Sequence, residues 1–329
     1  MKASIYTEYG PPSVLEIREV EKPVPKENEI LVRVHATTVN RTDCAMLRAK
    51  PFIMRFFTGL FTPRKPILGT EFAGTVEAVG AAVTSYRVGD NVFGFDDSGV
   101  SSHAEYLTLG EDQDFTLMPP NTTFEQAAAS LEGAHYGYNF IDKVPLEAGQ
   151  LVLVNGASGG IGLATVQMLH ALGARVVAVC NTKNLELVQS LGAERVIDYT
   201  QVDFTKDEER CHYVFDSVGK SSFGKCKSLL RPGGAYISSE LGEGAQNVFL
   251  ALITPLFGNK KVIFPIPSDR KRSIFFIKKL MEEGKFKAVI DRTYPLEKIA
   301  EAFDYVEKGL KTGNVVIRLY SDEKDSTIF

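Results

Sequence analysis

Cysteine is scarce in this sequence, and so are clustered charge, paired histidines and long apolar runs. The four cysteines, Cys44, Cys180, Cys211 and Cys226, are widely spaced. No two have the Cys-x-x-Cys spacing that a zinc ribbon or a redox disulfide needs, so they read as reduced thiols. Basic residues collect only in short runs, Lys260-Lys261, Arg270-Lys271-Arg272 and Lys278-Lys279, in a chain of net charge −4. That balance excludes nucleic acid as the main partner, because phosphate recognition needs a concentrated basic face. The most apolar stretches, Phe52 to Phe61 and Val248 to Phe257, fall well short of the about 20 residues that a membrane span requires, so no transmembrane segment is expected. Met1-Lys2-Ala3-Ser4-Ile5-Tyr6 leads into neither an apolar core of signal-peptide length nor a cleavage site, so the expected location is cytoplasmic. His35, His103, His135, His170 and His212 show no ligand spacing and join no Ser or Cys in a nucleophile motif. None is assigned as a catalytic base. Internal repeats and low-complexity segments are absent as well.

What remains is an ordinary folded chain, 44% hydrophobic and 24% charged. A length of 329 residues favours two domains with a cleft between them. Up to about Pro119, short β-type runs at 30–35, 72–79 and 104–109, with a turn feeding a strand at 89–94, alternate with Gly, Pro and Asp. They predict a compact β barrel or sandwich. Past Pro119-Pro120 the pattern changes to apolar strands at 151–155, 175–180, 195–197, 213–216 and 235–238, with helices at 161–172, 184–191 and 221–230 between them. Such alternation predicts βαβ units and a parallel sheet. A helix at 296–309 precedes a closing β run at 313–319 that can rejoin the first domain.

The strongest local signal runs from Leu151 to Gly162: an apolar strand, the small-residue turn Asn155-Gly156-Ala157-Ser158-Gly159-Gly160, and a helix. Small residues admit a pyrophosphate to the backbone, and the first N–H groups of the helix point at it. Ala157, Gly159 and Gly162 match the dinucleotide fingerprint, with alanine at its first glycine. A strand-to-helix turn with no ligand is the plain alternative. The next strand ends in Cys180-Asn181-Thr182-Lys183-Asn184, without the carboxylate that grips a ribose 2′-hydroxyl in NAD-preferring folds. Asn181, Thr182 and Lys183 suit a 2′-phosphate instead, which makes NADP(H) the expected cofactor, and Asn181 and Thr182 also suit a helix cap.

Several ordered motifs carry a resemblance. They are Val39-Asn40-Arg41-Thr42-Asp43, Leu68-Gly69-Thr70-Glu71-Phe72-Ala73-Gly74, Val88-Gly89-Asp90-Asn91-Val92-Phe93-Gly94, the phosphate turn, the run from Leu191 to Tyr199, and Phe215-Asp216-Ser217-Val218-Gly219. Over nearly its whole length the chain resembles the medium-chain dehydrogenase/reductase superfamily, in its zinc-free quinone oxidoreductase-like branch. The resemblance implies an α/β fold: a GroES-like β-barrel domain over residues 1–120, completed by about 291–329, and a Rossmann doubly wound parallel-sheet domain over 121–290. It also implies a homodimer with a cofactor in the cleft.

Zinc-dependent relatives have a cysteine where this chain has Asn40 and a histidine where it has Thr70, and their four-cysteine structural lobe is missing, so no metal site is expected. Hydride reduction of an activated alkene or quinone needs no Lewis acid, since such acceptors are already electron-poor. The expected activity is therefore NADPH-dependent reduction of a small quinone or α,β-unsaturated carbonyl, with the proton supplied by solvent. Metal-free carbonyl or alcohol turnover and a non-catalytic NADPH-binding sensor are the alternatives. By resemblance, Asn40, Asp43 and Tyr136 lie near the nicotinamide and substrate, although Asn40 and Asp43 also have the spacing of a helix cap. The cofactor set expected is Ala157, Ser158, Gly159, Gly160, Ile161, Gly162, Asn181, Thr182, Lys183, Tyr199, Asp216, Ser217, Val218, Gly219, Ser238, Leu241 and Asn314. Two apolar runs, Phe52 to Phe61 and Phe249 to Phe257, are expected to line a lipophilic acceptor pocket, with core or dimer packing and membrane contact as alternatives.

Overall fold

Apolar residues on both faces of 29–39 make this run the longest strand of the chain, Glu29–Val39, and most of the first sheet is built around it. The computed structural model of the protein describes residues 1–52, 54–266 and 269–320. These divide into two compact units. The first comprises Met1–Glu132, Arg270–Lys278 and the chain from Ala288 on; the second comprises Gly133–Asp269 and Lys279–Lys287.

In the first unit a seven-stranded sheet has the order Ile290–Pro295, Asn314–Arg318, Glu29–Val39, Glu71–Val79, Asn91–Phe95, Phe115–Leu117. Tyr106–Gly110 pairs with Glu29–Val39 on the same sheet. The closing strand Asn314–Arg318 does return to this unit: Val315 stands opposite Val39, and Arg318 opposite Ala36. The helix Ile299–Glu307 buries Ile299, Ala302, Phe303 and Val306, a spacing of three and four that keeps one stripe inward. That stripe joins Val34, Leu47, Val315 and Ile317 in the core. Residues 121–132 belong with this unit through Glu71, which accepts bonds from the N–H groups of Leu131 and Glu132.

The second unit holds a six-stranded sheet in the order Arg195–Asp198, Arg175–Cys180, Leu151–Asn155, Cys211–Asp216, Leu230–Ser238, Lys261–Ile263. Every pairing in it is parallel. Leu151–Asn155 is buried along its whole length, as expected of a central parallel strand covered on both faces. Chain order runs outwards in both directions from this strand. The carboxyl ends of Leu151–Asn155 and Cys211–Asp216 therefore form a topological switch point, where open α/β sheets receive ligands. The expected helix at 221–230 is shorter in the structure. Ser222 caps Phe223–Cys226, one tight 3-10 turn follows at Lys227–Leu229, and Leu230 already pairs with Cys211 as strand. The apolar run 249–257 belongs to the helix Gln246–Phe257. All four cysteines are free and buried, and among the described residues no helix is long and apolar enough to cross a membrane.

Candidate functional site

The phosphate turn leaves the central strand at Asn155. Gly156 takes φ +78°, and the N–H groups of Gly156 and Ala157 both donate to Val179 O, which folds the turn back over the sheet. Gly159 caps the helix Gly160–Ala171, whose first N–H groups have no partner within the helix. A β-carbon on Gly162 would lie 2.2 Å from Gly156 O and 2.7 Å from Ala157 Cα, so only glycine lets helix and turn approach this closely. Ser158, Gly159, Gly160 and Ile161 are half-buried, and Ala157 and Gly162 are buried. The result is a cradle of small residues at the switch point, closed by the Gly159 N–H to Gly156 O and followed by the amides of the helix's first turn.

At the end of the second strand, Thr182 donates to Asp198 Oδ2 at 2.6 Å and pairs with Thr200 at 3.1 Å. A carboxylate thus stands beside this edge after all. It comes from the adjacent strand, where Asp198 is in register with Cys180, and linear inspection of 180–184 did not see it. The bond from Thr182, followed by those from Thr200, holds the Asp198 carboxyl below the usual range. Asn181 makes no side-chain cap bond and instead accepts from Asn184 Nδ2 at 2.7 Å. Lys183 is exposed, and Tyr199, which is 56% exposed, donates its N–H to Cys180 O.

Asp216 is fully buried and saturated by its own unit. Its carboxylate accepts from Asn155 Nδ2, Tyr236 OH and the N–H groups of Val218, Gly219 and Ser221. It shapes the loop 216–221, and Ser217 Oγ ties that loop to Asn155 O and Gly156 O at the phosphate turn. Ser238 Oγ accepts from Glu240 N, Leu241 is exposed, and Tyr136 sits half-buried on the helix Glu132–Asp142. Asn314 belongs to the first unit, where its side chain donates to Val289 O.

In the first unit the helix Arg41–Arg48 opens with a reciprocal cap. Asn40 Oδ1 accepts from Asp43 N, and Asp43 Oδ2 accepts from Asn40 N, each at 3.0 Å. Asn40 Nδ2 also donates to Thr70 Oγ1 at 2.9 Å. Behind this cap lies a cluster that sequence reading missed, because its members come from residues far apart in the chain. Glu71 accepts from Thr38 Oγ1 at 2.6 Å as well as from the two amides already named, and Glu132 accepts from the half-exposed Thr42 hydroxyl. Lys311 donates to Gly313 O.

Burial in this low-dielectric setting decides who is charged. Asp43 is pushed up to about 8 by burial, against the Asn40 N–H and reinforced by the Glu71 charge. Burial raises Glu71 and Glu132 too, the latter further through Glu71 and Asp43, and it lowers Lys311 against the pull of both glutamates. Asp43 Oδ1 is buried with no hydrogen-bond partner among the described residues. His103 is fully buried, its Nε2–H donates to Thr38 O at 2.8 Å, and burial pulls it down to about 4, so it stays neutral. Among the described residues no group of three His, Cys, Asp or Glu is arranged to hold a metal ion.

Of the expected acceptor-pocket residues, Phe52, Phe56, Phe57 and Phe61 in the first unit and Phe249 and Phe257 in the second are strongly exposed. Ile53 lies outside the described residues.

Two family models match the chain. Residues 26–135 match the alcohol dehydrogenase GroES-like domain family, and residues 191–317 match the family described as zinc-binding dehydrogenase. The chain is 32% identical to 2-methylene-furan-3-one reductase of Solanum lycopersicum, over 96% of its own length and 79% of the relative's. It is 30% identical to the quinone oxidoreductase of Homo sapiens, over 97% and 98%. Among solved structures, the quinone oxidoreductase of Coxiella burnetii superposes with a TM-score of 0.84 at 23% identity, covering 97% of this chain and 99% of that one. The Escherichia coli quinone oxidoreductase complexed with NADPH gives 0.77 at 23% identity, covering 97% and 100%. The two structural likenesses bear on fold alone, but the sequence relatives go further: the chain belongs to the medium-chain dehydrogenase/reductase superfamily, in its quinone oxidoreductase-like branch.

Proposed function

We propose that the protein is an NADPH-dependent, zinc-independent reductase of a quinone or an α,β-unsaturated carbonyl. The observation that carries this reading is the glycine cradle at the switch point, where a single added β-carbon at Gly162 would strike backbone. In this reading 157–162 hold the diphosphate, and Asn181, Thr182, Lys183 and Tyr199 hold the 2′-phosphate end. The loop of Asp216, Ser217, Val218 and Gly219, with Ser238, Leu241 and Asn314, borders the rest of the cofactor. Lys183 supports NADPH, and Asp198 beside Thr182 tempers that preference. Two relatives whose names specify alkenal/one or quinone chemistry support the acceptor class. Bound NADPH supplies the hydride.

Zinc takes thiolate, imidazole or carboxylate donors. At the two ligand positions of zinc-dependent relatives this chain has an amide and a hydroxyl that are bonded to each other, a donor set that does not fit the ion. Asn40 and Asp43 hold the start of their helix and, with Tyr136, form the substrate end of the site. In place of the solvent proton expected from the sequence, the proton that completes the reduction is assigned to the half-exposed Thr42 hydroxyl, which is bonded to Glu132, whose carboxyl burial and the neighbouring Glu71 and Asp43 raise above the usual range. The same reading takes the protein as a homodimer, which sedimentation mass tests.

Turnover of NADPH and of NADH, followed by absorbance against a panel of quinones, enones and simple ketones, tests the proposal. Consumption of NADPH with quinones or enones, undiminished by a chelator, is expected. Stoichiometric zinc in the purified protein, or stoichiometric cofactor binding with no turnover, would overturn it.

A further inference from the structure

The short helix Met54–Thr58 and its flanks present Phe52, Phe56, Phe57, Leu60 and Phe61 outwards, at 44 to 83% exposure. This is no frayed end. Tyr9 OH donates to Gly59 O at 2.7 Å and pairs with Thr58 Oγ1 at 2.8 Å, and Arg55 lies over the Tyr9 ring and donates to Leu60 O. The body of the unit therefore fixes an apolar face that a water-soluble surface has no use for.

Charge identifies what covers it. Between Asp43 and Glu71 the sequence has no acidic residue but contains Arg48, Lys50, Arg55, Arg64 and Lys65, in a chain whose net charge is −4. Arg48 is neutralised by Glu307. The other four form no ion pair among the described residues, and Lys50, Arg64 and Lys65 are exposed and flank the aromatic run in sequence, with Lys65 Nζ donating to Gly99 O. A second copy of the chain would bring the same cations against themselves. A surface that is apolar within and anionic at its rim satisfies both halves at once, because phenylalanine enters the acyl boundary while lysine and arginine meet headgroup phosphates. The helix Gln246–Phe257 of the second unit also exposes apolar side chains, but it carries no charged residue and its flanks mix both signs, Glu240 and Glu243 before it and Lys260 and Lys261 after it, so it lacks a rim of one sign.

We propose that the face made by Phe52, Phe56, Phe57, Leu60 and Phe61, with the flanking cations Lys50, Arg64 and Lys65, docks the protein peripherally on an anionic lipid bilayer. The proposal is independent of the catalytic reading. Flotation of the full chain with vesicles of phosphatidylcholine alone, and of equal parts phosphatidylcholine and phosphatidylglycerol, tests it. The parent protein floats with the anionic vesicles only and is released by salt. A variant carrying Lys50→Glu, Arg64→Glu and Lys65→Glu partitions about a hundredfold less. A second, carrying Phe52→Ser, Phe56→Ser, Phe57→Ser and Phe61→Ser, loses at least about tenfold. Both keep the parent's circular dichroism, since the substituted side chains are exposed and the bond given up, Lys65 Nζ to Gly99 O, lies at the surface. Failure of the parent to float with anionic vesicles, equal flotation with phosphatidylcholine, or folded variants that float like the parent would each overturn the proposal. So would a dimeric parent that the serine variant renders monomeric, since the face would then be a protein interface.

Discussion

Replacing Asp43 by asparagine distinguishes a carboxyl that keeps its proton in the folded protein from one that ionises. The side chain is wholly buried, one oxygen accepts from Asn40 N at 3.0 Å, and the other has no partner among the described residues. Burial holds its pKa at about 8, whereas an unfolded aspartate ionises near 4. Between these values the folded state keeps a proton that the unfolded state has released. Stability from this group is therefore fully present below about pH 4 and is lost as pH rises towards 8. The slope is about 1.4 kcal/mol per pH unit for one group. Glu71 and Glu132 are raised as well and add slope of the same sign, common to parent and variant. Asp43→Asn has the shape of the protonated carboxyl and keeps the acceptor for Asn40 N, so at about pH 5 it costs only about 1 kcal/mol. From about pH 5 to about pH 7 the parent should lose about 3 kcal/mol more than the variant in urea unfolding followed by circular dichroism. Parallel stability curves would show that Asp43 is ionised when folded and refute the reasoning.

Four further outcomes are expected. Gly162→Ala forces the helix off the turn, so calorimetry should record at least about tenfold weaker NADPH binding; an unchanged affinity would remove the turn from the cofactor site. Lys183→Glu should favour NADH over NADPH by about a hundredfold in the ratio of dissociation constants, and an unaltered ratio would put the 2′-phosphate elsewhere. Glu132→Gln should lower kcat for an enone about a hundredfold without changing the NADPH affinity, whereas an unaffected kcat would return proton delivery to solvent. Arg270 bridges Asp97 and Asp114 at 2.8 and 2.7 Å, with Asp96 at 3.6 Å, so Arg270→Met should cost about 1–3 kcal/mol, most of it recovered in high salt. A midpoint in urea that does not move would deny those ion pairs a role.

The phosphate turn was legible because strand, small residues and helix are contiguous, and the physics that demands them is local. The closing strand was legible for the same reason: the contiguous β-branched run Val315-Val316-Ile317 favours a strand covered on both faces. The cluster of Glu71, Glu132 and Lys311 was not, because three charged residues scattered over the chain look like solvated surface until the sheet and its neighbours remove water from them. Asp198 escaped for a related reason. Counting along the second strand finds no carboxylate, but strand register brings one from the third strand alongside Thr182. At the cradle the fingerprint positions are readable from spacing, whereas the turn depends equally on Gly156, whose φ of +78° strains any side chain. The cap of Asn40 and Asp43 was readable from spacing, while its coupling to Thr70 needed the fold.

The antiparallel ladder that joins Asn314–Arg318 to Glu29–Val39 links the start of the chain to its end. During synthesis the ribosome delivers one edge of that ladder long before the other, separated by roughly half a minute at ordinary elongation rates. The contiguous segment Gly133–Asp269 emerges in the interval and has all six strands of its own sheet to hand. The nascent amino-terminal strands must wait with one edge of their longest member unpaired. A truncation that stops before Asn314 should therefore leave the dinucleotide-type sheet intact and the other unit open to aggregation or chaperone capture.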